Sequence, residues 1–316
     1  MNLSTKLHWT WLSAIAVTCV VSTAQASHPW PAERATSPIV STSWLRENSS
    51  RANLVILDVR PDASYREGHI PKAVSAPFQT PISSWITMND DLLLEVPSQA
   101  ELFATIGALG ISPSSWVVVV SAPNPGEPAP YGYAAATRVA DTLIYAGVSN
   151  TSVLDGGYTR WVADAGAVTT EVPPVTPVTY SAEVRSSMFV STDYVKSHIG
   201  RATIIDARDA EVYYGQTVEP FANKAGHIPT AKSLPSPWLW TADGMFKDVG
   251  VLGKMAFGAT GWFGAHEIIV YCGVGGYASA TWFVLTQVLG YHNVKFYDGS
   301  AQLWVRTEPM VPYVWQ

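Results

Sequence analysis

The chain has 316 residues, of which 47% are hydrophobic and only 14% are charged, and its formal net charge is −6. The apolar content suffices for a large core, and the absence of any basic block excludes nucleic acid as an expected partner. The length predicts two domains of ordinary size.

The first predicted element is a cleaved secretory signal over residues 1–26. Lys6 precedes an apolar run over 10–21, and Ala-Gln-Ala at 24–26 is the small-x-small pattern that signal peptidase recognises. The run is shorter than the roughly 20 residues that a membrane-spanning helix needs. We therefore expect no membrane span and a periplasmic or secreted mature protein that begins near Ser27.

The remaining chain predicts an α/β fold in each half. Short β-branched runs predict buried parallel strands, and amphipathic segments after them predict helices. This alternation indicates an open, mostly parallel sheet with helices on both faces. The predicted strands lie at 54–57, 117–120, 204–205 and 268–271, and the predicted helices at 132–145 and 277–289.

A proline-rich segment separates the two halves. The stretch "VPPVTP" is uncharged, as an extended linker would be. We place a first domain at 38–166, the linker at 167–187 and a second domain at 188–316.

The two halves repeat the same motifs in the same order. The segment "LVILDVRPDASYREGHIP" has a counterpart in "TIIDARDAEVYYGQTVEPFANKAGHIP", and "SVLDGGYTRWV" has one in "KFYDGSAQLWV". The pairs Asp58/Asp206, His69/His227 and Asp155/Asp298 keep nearly equal spacing, which indicates a duplicated domain.

The segment "IIVYCGVGGY" predicts a strand that ends in a thiol on a glycine turn. Cys19 leaves with the signal, so Cys272 cannot form an internal disulfide in the mature chain. Glycines at 273, 275 and 276 and the start of the next helix point amide N–H groups at the sulfur, and we expect them to lower the pKa of the thiol. The alternative is a buried, inert cysteine.

These motifs resemble those of the tandem-domain rhodanese family of sulfurtransferases. The resemblance covers the mature chain and rests on the DVR and DAR strands, the two GHIP turns, the cysteine loop, and the DGG and DGS segments that precede a tryptophan. It implies two rhodanese-like domains. Ala122 stands where a catalytic first domain would carry cysteine, so the resemblance implies a non-catalytic first domain and a catalytic second one.

The resemblance also implies a mechanism. Cys272 takes a sulfane sulfur from thiosulfate, 3-mercaptopyruvate or polysulfide and passes it from a persulfide to an acceptor. The acceptor would be cyanide, a thiol or a thioredoxin-like protein. The binding loop comprises Gly273, Val274, Gly275, Gly276 and Tyr277, whose amides would stabilise the sulfur anion. We expect no metal, no organic cofactor and a monomer.

The site departs from the family pattern in its charges. The loop "CGVGGY" is closest to the mercaptopyruvate type but lacks any basic residue, and Val212 and Phe221 stand where that type carries two arginines. Val212, Tyr214 and Phe221 are therefore the candidate pocket residues, and they favour a less charged donor such as polysulfide or an organic persulfide.

Other interpretations stay open at this point. A persulfide carrier that hands sulfur to a partner protein is the main alternative, and an inert scaffold is another. A phosphatase or arsenate reductase of the CX5R type lacks support because its loop needs one more residue and an arginine. We expect His69 and His227 to bond the turn backbone, Arg208 to form a structural ion pair, and Asp298 to cap a turn.

Overall fold

The computed structural model describes residues 34–124, 126–261 and 266–313. The predicted signal at 1–26 lies outside this part of the chain. Within it, no helix combines the length and apolar character needed to cross a membrane.

The first domain is built on a five-stranded parallel sheet. Its strands lie in the order β1-β7-β6-β2-β3, and the central strand β6 is buried over Val117–Val120. The strands are β1 (Ile39–Val40), β2 (Leu54–Asp58), β3 (Ala73–Ser75), β6 (Trp116–Val120) and β7 (Thr151–Leu154), and the helices are α1 (Thr42–Asn48), α2 (Asp62–Glu67), α3 (Gln99–Ala108), α4 (Ala129–Tyr145) and α5 (Gly157–Ala163).

A short antiparallel hairpin extends from the first domain. It consists of β4 (Thr87–Asn89) and β5 (Leu92–Glu95). Its second strand contacts the second domain, where Gln302 accepts a hydrogen bond from the Leu93 amide at 2.9 Å and donates one to the Leu93 carbonyl at 2.8 Å.

The second domain repeats the plan with a four-stranded parallel sheet in the order β11-β10-β8-β9. All four residues of its strand β10 are buried. The strands are β8 (Thr203–Asp206), β9 (Lys232–Ser233), β10 (Ile268–Tyr271) and β11 (Val294–Phe296), and the helices are α6 (Thr192–His198), α7 (Ala210–Tyr213), α8 (Val249–Thr260), α9 (Gly276–Phe283) and α10 (Ser300–Thr307). The predicted α/β fold is therefore confirmed in both halves.

The predicted helix over 277–289 takes two forms. Helix α9 ends at Phe283, and a π-helical turn, Val284–Val288, continues it. Helix α9 packs against its repeat counterpart α4 in the first domain. The hydroxyls of Thr137 and Ser279 lie 2.9 Å apart at this contact, so the two related helices form the centre of the interface between the domains.

The proline-rich segment between the domains is extended and attached to the first domain. The Val178 amide donates to the Gly107 carbonyl at 2.9 Å. The Tyr180 ring is buried, and its hydroxyl donates to the Ala146 carbonyl at 2.7 Å. These bonds hold Val178 and Tyr180 of the linker against the carboxyl-terminal ends of α3 and α4.

Candidate active site

The Cys272 thiol lies directly after β10, at the carboxyl edge of the second sheet. The residue is only 2% exposed, so the folded domains shield the thiol from solvent. Helix α10 holds the backbone of this turn: the Ala301 amide donates to the Cys272 carbonyl at 2.9 Å, and the Gln302 amide donates to the Gly273 carbonyl at 3.0 Å. The start of α10 thus fixes where the thiol points.

Backbone amides surround the sulfur. The Gly275 amide donates to Sγ at 3.1 Å, and the amides of Val274 and Ala278 also stabilise a thiolate here. Gly275 has a φ of 91°, a conformation that glycine adopts without steric cost. The glycine loop therefore forms the predicted ring of N–H groups.

The expected decrease in the Cys272 pKa is wrong. Burial raises the pKa of the thiol above its ordinary value, the amides of Ala278, Val274 and Gly275 lower it by less, and the nearby Glu219 carboxylate raises it further. The physical reason is that an apolar, enclosed site disfavours a localised charge even when hydrogen-bond donors are present. The resting cysteine is therefore a thiol at neutral pH.

Sγ faces a cavity of about 490 Å³ between the two domains. The first domain supplies about half of the wall, including the end of the β4–β5 hairpin and the start of α4. The lining residues are Thr80, Pro81, Leu93, Leu94, Glu127, Pro128 and Tyr131 from the first domain and Glu219, Phe221, Cys272, Gly273, Val274, Gly276 and Tyr277 from the second.

The charges in this cavity are acidic. Among the residues that the structure describes, its lining includes Glu127 and Glu219 and no lysine, arginine or histidine. The guanidinium of Arg208 is 1% exposed, pairs with Asp206 at 2.6 Å and lies 3.3 Å from a Glu219 oxygen. Arg208 is thus committed to structural ion pairing, as expected, and contributes no free charge to the cavity.

Only one of the three candidate pocket residues lines the cavity. Phe221 lines the cavity. Val212 does not line it, and is instead the buried residue of α7. Tyr214 is directed elsewhere, since its ring packs edge-on against Tyr213 and Tyr313 at 5.1 and 5.3 Å between centroids. Of the loop residues, Gly273, Val274, Gly276 and Tyr277 line the cavity beside Cys272.

Both GHIP histidines contact backbone carbonyl groups of their own domains. The Nδ1 atom of His69 lies 2.9 Å from the Tyr65 carbonyl, and that of His227 lies 2.9 Å from the Tyr213 carbonyl. Each histidine ring also stacks on the tyrosine whose carbonyl it contacts. The ring centroids are 3.8 Å apart in the first domain and 3.9 Å apart in the second. The repeated motif therefore stabilises equivalent turns, and neither histidine lines the cavity at Cys272.

Asp298 does not have the expected role of a turn cap. Its carboxylate crosses the interface and pairs with Arg138 of α4 at 2.5 Å, and it accepts a hydrogen bond from the Val96 amide at 2.9 Å. The repeat-related Asp155 likewise accepts from the Phe246 amide of the second domain at 2.8 Å. Each domain therefore binds a backbone amide of the other domain through the equivalent aspartate of its repeat.

The first domain keeps a smaller cavity at the corresponding position. It has a volume of about 290 Å³ and is lined by residues that include Ala122, Arg60 and Tyr158. Arg60 is bonded to Asp58 at 2.6 Å, and its guanidinium carbon lies 3.5 Å from the Tyr158 ring centroid. The register corrects the expected position of the missing nucleophile. Val120 pairs with Asp58 as Tyr271 pairs with Asp206, and the Ser121 carbonyl accepts from the Tyr158 amide as the Cys272 carbonyl accepts from the Ala301 amide. Ser121, and not Ala122, is therefore the counterpart of Cys272, and the first domain carries a hydroxyl where the second carries the thiol.

Sequence reasoning missed Glu219, Glu127 and Tyr131, among other lining residues. Glu219 lies two residues before Phe221, which the family resemblance singled out, and this proximity was the available signal. Tyr131 meets Tyr277 across the cavity at 6.2 Å between ring centroids. No local pattern indicates this contact, because the two tyrosines belong to different domains.

Comparison with known proteins assigns both domains to one family. The rhodanese-like domain family matches residues 41–164 and 191–307. A protein of Thermus thermophilus named sulfur carrier protein TtuD is 31% identical over 84% of this chain and 93% of its own. A protein of Saccharopolyspora erythraea named as a thiosulfate sulfurtransferase is 30% identical over 83% of this chain and 91% of its own.

Solved structures agree in fold. SseA from Escherichia coli, described as a 3-mercaptopyruvate sulfotransferase, superposes with a TM-score of 0.70 at 27% identity, covering 84% of this chain and 99% of its own. The anaerobic ergothioneine biosynthesis enzyme of Chlorobium limicola superposes with a TM-score of 0.72 at 21% identity, over 90% of this chain and 73% of its own. The latter similarity concerns the fold alone.

Proposed function

The chain belongs to the rhodanese family and is a sulfurtransferase, and from this premise we propose that it transfers sulfane sulfur through a persulfide on Cys272. The observation that carries the proposal is the thiol at the end of β10, facing an interdomain cavity with the Gly275 amide 3.1 Å from Sγ. A ring of N–H donors suits the anionic outer sulfur of a persulfide as well as a thiolate.

The reaction is a double displacement. The Cys272 sulfur attacks the outer sulfur of a donor R–S–SH, the donor S–S bond breaks, and its electron pair leaves on R–S⁻. The attacked sulfur becomes the outer atom of Cys272–S–SH. An acceptor thiolate or cyanide then attacks that atom, and the enzyme sulfur leaves with the electron pair, so no external oxidant or reductant is consumed.

We infer that the preferred donor is a polysulfide or an organic persulfide. Glu127 and Glu219 give the cavity an acidic character, and a thiosulfate dianion or the carboxylate of 3-mercaptopyruvate would meet repulsion there. Phe221 occupies the position of a family arginine and offers apolar surface instead. The acidic lining supports a donor that presents a protonated S–SH group to Cys272 and carries no sulfonate or carboxylate beside it.

The test is intact mass of the mature protein after separate exposure to polysulfide, thiosulfate and 3-mercaptopyruvate. We expect a one-sulfur adduct that forms fastest with polysulfide, disappears on addition of cyanide and is absent from Cys272→Ser. Absence of the adduct with every donor would refute the persulfide function.

A sulfur-carrier role is the second candidate, and the burial of Cys272 favours it. A thiol that is 2% exposed and protonated at neutral pH would load slowly, and one relative carries the name sulfur carrier protein. Steady turnover with cyanide or a small thiol distinguishes the enzyme from the carrier. A carrier would turn over only with a protein acceptor, such as one of the thioredoxin type.

We also propose that the protein acts outside the cytoplasm as a monomer. The signal-like segment over 1–26 supports export. Amino-terminal sequencing of the protein recovered from the periplasmic or culture fraction should give a start near Ser27, and light scattering should give the mass of one chain. An uncleaved amino terminus in the cytoplasmic fraction would contradict export.

A further inference from the structure

We propose that Glu219 is the proton carrier of the Cys272 sulfur transfer: it accepts the thiol proton when Cys272 attacks the donor and returns it to the departing thiolate. This inference rests on the persulfide function proposed above. It assigns a catalytic role to the Glu219 carboxylate of the cavity. The glycine loop alone does not supply this role.

Geometry places Glu219 against the catalytic loop. A side-chain carbon added at Gly273, the residue after the nucleophile, would lie 2.8 and 2.9 Å from the two carboxylate oxygens. Glu219 and Cys272 line the same cavity, and the Glu219 side chain is 20% exposed. The carboxylate is therefore enclosed beside the reacting sulfur while one edge faces the space where a donor would bind.

The surroundings leave Glu219 able to gain and lose a proton near neutral pH. Burial is the largest effect and raises its pKa to about 7, while the pairing with Arg208 lowers it and the carboxylates of Asp206 and Asp209 raise it. The charged and titratable groups that face Glu219 or share its cavity are Arg208, Asp206, Asp209, Cys272, Tyr277, Glu127 and Tyr131.

The Cys272 thiol needs a general base in order to react at neutral pH. Because burial raises the pKa of Cys272, the thiolate is a small fraction at neutral pH and the amide ring alone does not generate it. A general base with a pKa near the working pH is the most effective group for this task. Glu219 is deprotonated above about pH 7, so it is ready to accept the proton while the cysteine still holds it.

The proton balance closes over both half-reactions. In loading, Cys272–SH and R–S–SH give Cys272–S–SH and R–SH: the thiol proton moves to Glu219, the Sγ–S bond forms as the donor S–S bond breaks, and Glu219 protonates R–S⁻. In unloading to a thiol acceptor, Glu219 takes the acceptor proton and returns it to the leaving Cys272 sulfur. Glu219 ends each half-reaction in its starting state.

A purely electrostatic role for Glu219 makes the opposite prediction. Its negative charge raises the pKa of Cys272, so Glu219→Gln would create more thiolate and load faster at pH 7 if charge were its only effect. As a proton carrier, Glu219 makes the variant slower. The sign of the change therefore separates the two roles.

The experiment measures single-turnover loading with polysulfide between about pH 6 and 9, by intact mass, for wild type and Glu219→Gln. We expect the variant to be about a hundredfold slower at pH 7, the lower end of the usual effect of general catalysis. The ratio of the two rates should be constant below about pH 7, where the fractions of Glu219 carboxylate and Cys272 thiolate rise together. It should fall above about pH 7, where Glu219 is fully deprotonated and only the small thiolate fraction still rises. This ratio cancels the titration of the donor, which is common to both proteins.

Two further variants complete the test. Glu211→Gln removes an exposed carboxylate of α7 that does not line the cavity, and it should load like wild type. Glu219→Asp keeps a carboxylate farther from Cys272 and should load at a rate between those of wild type and Glu219→Gln, which tests the role even if the glutamine variant folds poorly.

The outcomes separate the two proposals. Loading of wild type together with equal or faster loading of Glu219→Gln at pH 7 would overturn the proton-carrier role and leave the persulfide function intact. Loading of Glu219→Asp at pH 7 no faster than that of Glu219→Gln would also overturn that role. Failure of wild type to load from any donor would overturn the persulfide function itself.

Discussion

Arg138 and Asp298 form a buried ion pair across the domain interface, directly behind the cysteine loop. The nitrogen and oxygen atoms lie 2.5 Å apart, and the same guanidinium donates to the Leu94 carbonyl. A side-chain carbon added at Gly275 would lie 2.9 Å from the Asp298 carboxylate. The contact that joins the domains is therefore also the wall against which the sulfur-binding turn rests.

We expect Asp298→Asn to destabilise the protein and slow loading. Removing one partner leaves the other charge buried and uncompensated, which costs about 3–5 kcal/mol in the free energy of unfolding. Urea denaturation measures the change. The control is Arg160→Gln, which breaks a partly exposed pair with Asp164 and should cost much less, because solvent screens such a pair. Equal effects of the two variants would contradict a structural role for the interdomain pair.

We expect Gly275→Ala to abolish rapid loading while the protein remains folded. The φ of 91° is strained for alanine, at a cost of about 1–3 kcal/mol, and the new methyl group would displace the amide that donates to Sγ. Loading is followed by intact mass, and unfolding by circular dichroism. Gly258→Ala on α8 meets no atom within 4 Å and should stabilise the protein slightly. Normal loading by Gly275→Ala would show that the amide ring is dispensable.

We expect Phe221→Arg to improve loading from 3-mercaptopyruvate. Phe221 lines the cavity in which no cationic side chain is found among the described residues, and a guanidinium there would bond the donor carboxylate. A charge-assisted hydrogen bond of about 1.5–3 kcal/mol predicts a gain of about tenfold or more in kcat/KM. Phe221→Leu should show no such gain, and polysulfide loading should not improve in either variant. An unchanged kcat/KM for Phe221→Arg would refute the charge argument.

We expect the Cys272 thiolate to appear only above the pH at which ordinary thiols ionise. Burial raises its pKa, so the charged form is disfavoured throughout the neutral range. The measurement is thiolate absorbance at 240 nm between about pH 6 and 10, taken as the difference between wild type and Cys272→Ser. The urea-unfolded chain should titrate near the ordinary value of about 8.5. A folded protein that titrates below its unfolded form would contradict this direction.

The sequence alone determined the fold and the position of the nucleophile. Runs such as Val117–Val120 and Ile268–Tyr271 predict buried parallel strands from local composition, because a strand covered on both faces excludes polar side chains. The repeated Asp, His and Asp-Gly motifs revealed the duplication. The glycines after Cys272 predicted the ring of amides, since the φ of Gly275 is a local requirement of the turn.

Only the tertiary structure decided the chemistry of the cavity. Glu127 and Tyr131 reach Cys272 from the other domain, Asp298 finds Arg138 across the interface, and Tyr214 turns away from the site. The direction of the Cys272 pKa shift also depends on how deeply the folded domains enclose the thiol. The burial of the Cys272 sulfur and the net charge around it depend on residues that are distant in the sequence. Sequence patterns indicate only the local conformation that neighbouring residues require.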